Sequence, residues 1–177
     1  MTWEARVRRV RYAVATSLDG YIAGPKGEAD WIIMDPEIDF AELFNQFDTM
    51  LLGRGTYEAA LKRGGTADYG MRTYVFSRTL RQKDHPKVTI VAEKATELLT
   101  TLKDAPGKDI WLMGGGALFR SLLDLKMVDT VEVAVIPVLL GVGIPLLSPP
   151  GAATKLKLTS HRLYKKSGIV SLEYAVK

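Results

Sequence analysis

Three groups of residues have the types and spacing to grip an anion. Gly114-Gly115-Gly116 follows four apolar residues, Ile110-Trp111-Leu112-Met113, and precedes Leu118, Leu122 and Leu125 at helical spacing. That pattern predicts a buried strand, a tight turn and a helix. Glycine lets the backbone approach a ligand closely, and the free N–H groups at the helix start draw an oxyanion. Gly53-Arg54-Gly55-Thr56-Tyr57-Glu58 repeats the arrangement with an arginine whose rigid fork suits phosphate, and Ser77-Arg78 ends another strand with a hydroxyl and a guanidinium. Each feature also has a use without a ligand: a glycine turn packs a helix tightly on a sheet, and an arginine forms an exposed ion pair. The dinucleotide fingerprint G-x-G-x-x-G is not met, because Phe119 stands where its third glycine belongs.

The elements that must position these groups alternate between strand and helix. A first strand spans about 7–16 and ends in the turn signal Ser17-Leu18-Asp19-Gly20. The polar stretch 24–30, closed by Trp31, is either a mobile cover over a site or an Ω-loop anchored by that indole. Asp35-Pro36-Glu37 has helix-opening chemistry, and Phe40, Leu43, Phe44 and Phe47 continue one apolar face. Strands are predicted over 48–52, 72–78, 88–92 and 128–138, a helix over 96–103, an apolar loop over 139–147, and a hairpin from 155–164 and 169–176. Nearly continuous apolar strands between helices imply a mainly parallel sheet covered on both faces, in three layers, with the antiparallel hairpin at one edge. Ligands in such α/β sheets bind beyond the carboxyl ends of the strands, where Ala15, Leu52, Ser77 and Met113 fall.

Composition narrows the class. The chain has 177 residues, 47% hydrophobic and 25% charged, which suits one core and a single domain over 1–177. It contains no cysteine, and its two histidines, His85 and His161, lie far apart, so no structural metal is expected. No apolar signal segment precedes the first strand, and the longest apolar run, 134–147, carries Pro137 and Pro145 and falls short of a membrane span. A soluble cytoplasmic protein with no membrane partner is the expectation. The net charge of +4 suits an anionic cofactor or substrate. Arg6, Arg8, Arg9 and Arg11 cluster near the start, but their alternation with Val10 and Tyr12 reads as a strand with one solvated face. No aromatic-basic motif follows, so no nucleic-acid partner is expected.

Together the motifs carry a resemblance. Ala15-x-Ser17-Leu18-Asp19-Gly20-Tyr21-Ile22-Ala23, Gly53-Arg54-x-Thr56-Tyr57-Glu58, Ser77-Arg78 and Met113-Gly114-Gly115-Gly116-Ala117-Leu118-Phe119 occur in the order seen in the dihydrofolate reductase-like superfamily. Ser-Leu-Asp-Gly and the stretch from Pro137 to Leu146 resemble the riboflavin-biosynthesis reductase (RibD C-terminal domain) branch. The resemblance implies NADPH as cofactor. Arg54, Arg78 and Ser77 would hold the adenine ribose and its 2′-phosphate, and Gly53 and Thr56 would take the pyrophosphate from one side. Gly114, Gly115, Gly116, Ala117 and Leu118 would take it from the other, with a cis peptide at Gly114-Gly115. Ala15 and Ile22 would line the nicotinamide pocket, with the 24–31 loop as its cover; Trp31, Phe40 and Tyr57 either shape the substrate pocket or, the reading preferred, belong to the core.

The implied chemistry is hydride transfer to a carbon–nitrogen or carbon–oxygen double bond of a small heterocycle or sugar. The acid that folate reductases carry on their first helix falls here at Glu37 or Asp39, with Asp39 preferred, and their sixth-strand threonine becomes Ala134. Asp19 is the other acid: it either binds substrate and relays a proton or merely caps its own Asp-Gly turn. Three functions stay open: a riboflavin-reductase-like NADPH-dependent reductase, a dihydrofolate reductase, and a nucleotide-binding protein without catalysis. Relatives imply a homodimer, and the apolar 138–147 segment suits an interface as well as a core.

Overall fold

The computed structural model describes residues 7–65 and 69–177; Arg6 of the basic cluster lies outside them. In chain order the elements are β1 (Val10–Ser17), β2 (Tyr21–Ala23), α1 (Phe40–Asn45), β3 (Phe47–Gly53), α2 (Arg54–Lys62) and β4 (Arg72–Phe76). They continue with β5 (Thr89–Val91), α3 (Ala95–Asp104), β6 (Asp109–Leu112), α4 (Gly116–Asp124), β7 (Thr130–Ile136), β8 (Ile144–Pro145), β9 (Leu156–Leu163) and β10 (Val170–Val176).

Eight strands form one sheet in the order β5-β4-β3-β6-β1-β7-β10-β9. Pairing is parallel from β5 through β7 and antiparallel from β7 to β10 and β10 to β9. Successive strand residues point to opposite faces, so the apolar runs of β3 and β6 feed two cores at once. Leu51, Ile110 and Leu112 pack with Leu99 and Leu102 of α3 and with Leu118, Phe119 and Leu122 of α4. Met50, Leu52 and Trp111 pack on the other side with Tyr57 of α2 and with Leu43 and Phe44 of α1. The fold is therefore the three-layer α/β arrangement, with helices on both faces of a mainly parallel central sheet and a C-terminal antiparallel hairpin.

Three local expectations are corrected. The first helix begins at Phe40 rather than at Asp35-Pro36-Glu37. Asp39 is its N-cap, and its carboxylate accepts from Glu42 N at 2.9 Å. Asp35 is buried; its carboxylate accepts from Glu37 N at 2.9 Å and from Ser167 N at 3.1 Å, pinning the hairpin turn to this segment. The 139–147 loop is not wholly irregular: β8 pairs with β2 as a small separate antiparallel sheet, while Leu139 and Val142 at the tip stay exposed.

Among the described residues of the basic start, Arg9 keeps a side chain 40% exposed, but the rest of the expected solvated face is covered. Arg8 and Arg11 are buried, because carboxylates on neighbouring strands meet them. Arg8 pairs with Asp48, donates to Thr49 Oγ1 at 2.7 Å and donates to Leu102 O at 3.2 Å. Arg11 forks onto Glu132 with both bonds at 2.7 Å and reaches Asp109 at 3.4 Å. Burial pulls the Arg11 guanidinium down, yet Glu132 and then Asp109 outweigh it and hold its pKa above the ordinary value. The amino ends of the strands are thus closed by a charge-matched layer. No helix of the described residues is long and apolar enough to cross a membrane.

Candidate functional site

β4, β3, β6 and β1 lie side by side and parallel, so their carboxyl ends share one edge of the sheet. A cleft of about 1340 Å³ opens there, lined by the ends of these strands, the starts of α2, α3 and α4, and the 25–29 loop. All three motif groups meet in it. A Cβ added at Gly114 or Gly115 would stand 3.4 Å from the Thr56 side chain, and one at Gly53 would stand 3.6 Å from Leu118 Cβ. Both glycine turns are thus packed against one another across the β3–β6 seam. Gly114 and Gly115 have φ of 67° and 89°, a left-handed path that glycine adopts without strain. Their peptide bond is trans, which corrects the cis bond implied at this position; the cis bond among the described residues is Pro149-Pro150. Two successive left-handed glycines reverse the chain between β6 and α4 with no change at the peptide bond.

Among the described residues, three of the four α-helices start at this edge. The first N–H groups of a helix need partners, usually from a Ser, Thr, Asp or Asn cap. The N-cap residues of α2, α3 and α4 are Gly53, Lys94 and Gly115, and none makes a side-chain capping bond. Lys94 takes a left-handed conformation, φ 59° and ψ 36°. α1, which starts outside the cleft, has its Asp39 cap. Three helix starts with N–H groups left for another partner, all at one cleft, make a cradle for a ligand with several phosphates.

Every residue assigned to the cofactor from the sequence lines this cleft: Ala15, Ile22, Gly53, Arg54, Thr56, Ser77, Arg78, Gly114, Gly115, Gly116, Ala117 and Leu118. Ser77 is buried and its Oγ accepts from Thr79 N at 3.2 Å and Leu80 N at 3.0 Å, fixing the turn that presents Arg78. Arg54 is half exposed, donates to Thr79 Oγ1 at 2.9 Å and stands 3.9 Å from Glu58. These are partners that a phosphate can displace or join.

The residues assigned to catalysis and substrate lie outside that lining. Asp39 caps α1. Asp19 accepts from Ser17 Oγ, Leu140 N and Gly141 N. Phe40 packs beside Phe44, and Tyr57 is buried with its hydroxyl 3.1 Å from His85 Nδ1. Burial pushes the Tyr57 phenol up. Trp31 packs against the cluster of Ile136, Tyr164 and Ile169 and donates from Nε1 to Glu28 O at 3.1 Å. The two views of the 24–31 loop therefore merge: its indole anchors it, and its Pro25–Ala29 side faces the cleft.

Sequence reasoning missed the α3 corner, where Val91, Ala92, Glu93, Lys94 and Ala95 line the cleft, and the cover-loop charges Lys26 and Glu28. A signal existed: 88–103 is a further strand-turn-helix unit.

The sheet order, the layers and a nucleotide-sized cleft at the strand carboxyl ends define a dihydrofolate reductase-like α/β protein. The chain belongs to the RibD C-terminal domain family, whose pattern matches residues 8–170. Among curated relatives, the uncharacterized Bacillus subtilis (strain 168) protein YyaP is 34% identical over 98% of this chain and 98% of its own length. YwjB of the same strain is 33% identical over 94% and 97%. Among solved structures, a candidate riboflavin biosynthesis protein of Shewanella sp. PV-4 is 26% identical with a TM-score of 0.81, covering 96% of this chain and 99% of that one. The Thermotoga maritima diaminohydroxyphosphoribosylaminopyrimidine deaminase/5-amino-6-(5-phosphoribosylamino)uracil reductase shares the fold at TM-score 0.73 and 19% identity, over 96% of this chain and 57% of that one. Enterococcus faecalis dihydrofolate reductase, solved with NADP(H), shares it at TM-score 0.66 and 16% identity, over 96% of each.

Proposed function

We propose that this chain is an NADPH-dependent reductase that transfers hydride to a carbon–nitrogen or carbon–oxygen double bond of a small heterocyclic or ribosylamino-pyrimidine substrate, similar to 5-amino-6-(5-phosphoribosylamino)uracil reductase. The observation that carries this is the meeting of three uncapped helix starts and two glycine turns on one cleft. Thr56 at the start of α2 and Gly114 to Ala117 at the start of α4 would hold the pyrophosphate. Arg54, Ser77 and Arg78, which follow β3 and β4 and line the cleft, would hold the adenine ribose and 2′-phosphate. Ala15 and Ile22 give the nicotinamide an apolar wall that excludes water from the transfer. When bound, the nicotinamide supplies the hydride, and the protein supplies orientation and a dry pocket. Asp19, which accepts from Ser17 Oγ, Leu140 N and Gly141 N, and Asp39, which accepts from Glu42 N, both lie outside the cleft lining, so the proton that completes the reduction would come from solvent.

Folate is disfavoured as substrate. The β1–β7 register sets Ala134 beside Ala15, two methyl groups where folate reductases place a threonine hydroxyl.

NADPH should raise the melting temperature more than NADH, since only NADPH gives Arg54 and Arg78 another phosphate. Arg78→Ala should remove most of that difference, lowering NADPH affinity about tenfold, as for loss of one charge-assisted contact. Equal shifts with the two nucleotides would remove the 2′-phosphate assignment. Acceptors, the ribosylamino-pyrimidine phosphate among them, are then screened by loss of NADPH absorbance.

A further inference from the structure

One polar cluster, in the turn between β1 and β2, has no part in the chemistry above. Asp19 Oδ1 accepts from Ser17 Oγ at 2.6 Å and from Leu140 N at 3.1 Å, and Oδ2 accepts from Gly141 N at 2.7 Å. Ser17 Oγ accepts in turn from Tyr21 N at 2.9 Å. A single carboxylate thus ties the turn after β1 to a loop lying more than a hundred residues further along the chain. Its oxygens are taken by these donors, and it does not line the cleft.

What the tie fastens is a wall of the cleft. β2 and β8 form a two-stranded sheet of three and two residues, separate from the main sheet. A ladder that short does not persist in water without outside support. Leu18 N donates to Val138 O at 2.9 Å and Leu146 N to Gly20 O at 2.8 Å, bracketing it. Ile22 and Ala23 of β2 and Ile144 of β8 line the cleft. At the far side of the ladder the Pro145 carbonyl lies so close to Gly116 that a Cβ there would overlap it. Moving the ladder therefore moves Ile22 relative to the glycine turn.

We infer that Asp19 is a positioning residue: its carboxylate clasps the 139–141 loop to the turn after β1 and so holds Ile22 and Ile144 at a fixed spacing from the Gly116 turn, as the nicotinamide half of the cofactor requires. The cofactor half of this statement rests on the NADPH-dependent function proposed above. The clasp itself does not.

The experiment compares wild type, Asp19→Asn and Asp19→Ala by amide hydrogen exchange without ligand and by NADPH titration. Exchange at Leu140 and Gly141 should rise about tenfold in Asp19→Ala, and the Kd for NADPH should rise by a similar factor. Asp19→Asn keeps one acceptor oxygen and the side-chain volume, so it should fall between the two; it also carries the comparison if Asp19→Ala does not fold. With any acceptor that turns over, the pH profile should keep its shape in Asp19→Asn. Unchanged exchange at both amides overturns the clasp. Faster exchange with unchanged NADPH affinity, or a pH profile that loses a limb, overturns the positioning role. If wild type fails to bind NADPH, the proposed reductase function falls by itself, and the exchange measurement still decides the clasp.

Discussion

At the scale of single residues, Gly116 is the position of the glycine turn with no room for a side chain. A Cβ there would overlap the Pro145 carbonyl oxygen and stand 3.2 Å from Ser148 N. Gly116→Ala should therefore cost ~1–3 kcal/mol in thermal unfolding, as overpacking does, and should diminish the stabilisation given by NADPH. Full retention of both would mean that the β8 segment yields freely. The Asp19 carboxyl is held at about 2, below its ordinary 3.8, first by the Ser17 hydroxyl and then by the Gly141 and Leu140 N–H groups. Because its pKa is lower folded than unfolded, the contribution to stability is complete above about 4 and is lost as pH falls from there toward about 2. The gap in melting temperature between wild type and Asp19→Asn should close across that window; a gap that survives to the bottom of it would assign the stabilisation to another group. The residue types of the cofactor cradle were legible in the sequence because glycine and arginine advertise their uses. The partners of Asp19 were not, since nothing local in Ser-Leu-Asp-Gly reveals a contact with residues 140 and 141.

At the scale of elements, the long apolar strands and their following helices were legible from periodicity, and the start of α1 was not. Asp35-Pro36-Glu37 has helix-opening chemistry, yet the helix starts after Asp39. The structure uses Asp39, because Asp35 is drawn to Ser167 on the distant hairpin turn. β8 escaped notice because two residues paired with β2 carry no period of their own. The 24–29 loop is knotted on itself: Gly24 N donates to Glu28 O at 2.8 Å, Gly27 N to Gly24 O at 2.9 Å, and Lys26 N to Glu28 Oε2 at 2.8 Å. Its own backbone N–H first, and then the Lys26 N–H, hold the Glu28 carboxyl below its ordinary value. Across the cleft this knot meets α2 through a hydrogen bond from the Arg63 guanidinium to Gly27 O. That contact is exposed, so Arg63→Ala should loosen the loop only modestly, speeding tryptic cleavage after Lys26 and NADPH dissociation roughly two- to fivefold. No change in either rate would show that Trp31 and the internal knot hold the cover unaided.

At the scale of the whole molecule, the two ends of the sheet are built for different tasks. At the carboxyl ends, helix N–H groups are left without caps and the backbone is open. At the amino ends, guanidinium groups and carboxylates neutralise one another under cover: Arg11 and Glu132 have side chains only 7% and 14% exposed. Arg11→Met should leave Glu132 with the Thr130 hydroxyl at 2.7 Å in place of a forked cation. Breaking such a pair from one side costs ~3–5 kcal/mol, whereas replacing both partners by apolar groups of similar size is often neutral. Arg11→Met should thus lower the melting temperature sharply, and adding Glu132→Leu should recover most of the loss. The binding groups stand at the opposite ends of these strands and share no partner with Arg11, so the two effects should add independently. NADPH affinity measured well below the melting temperature should then be the same in wild type, Arg11→Met and the double variant, because the charged layer holds the sheet together and leaves the cleft to the glycine turns. A cofactor affinity that tracked the melting temperature through this series would show instead that strain passes along β1 from Arg11 to Ala15, and the division of labour between the two ends would be lost.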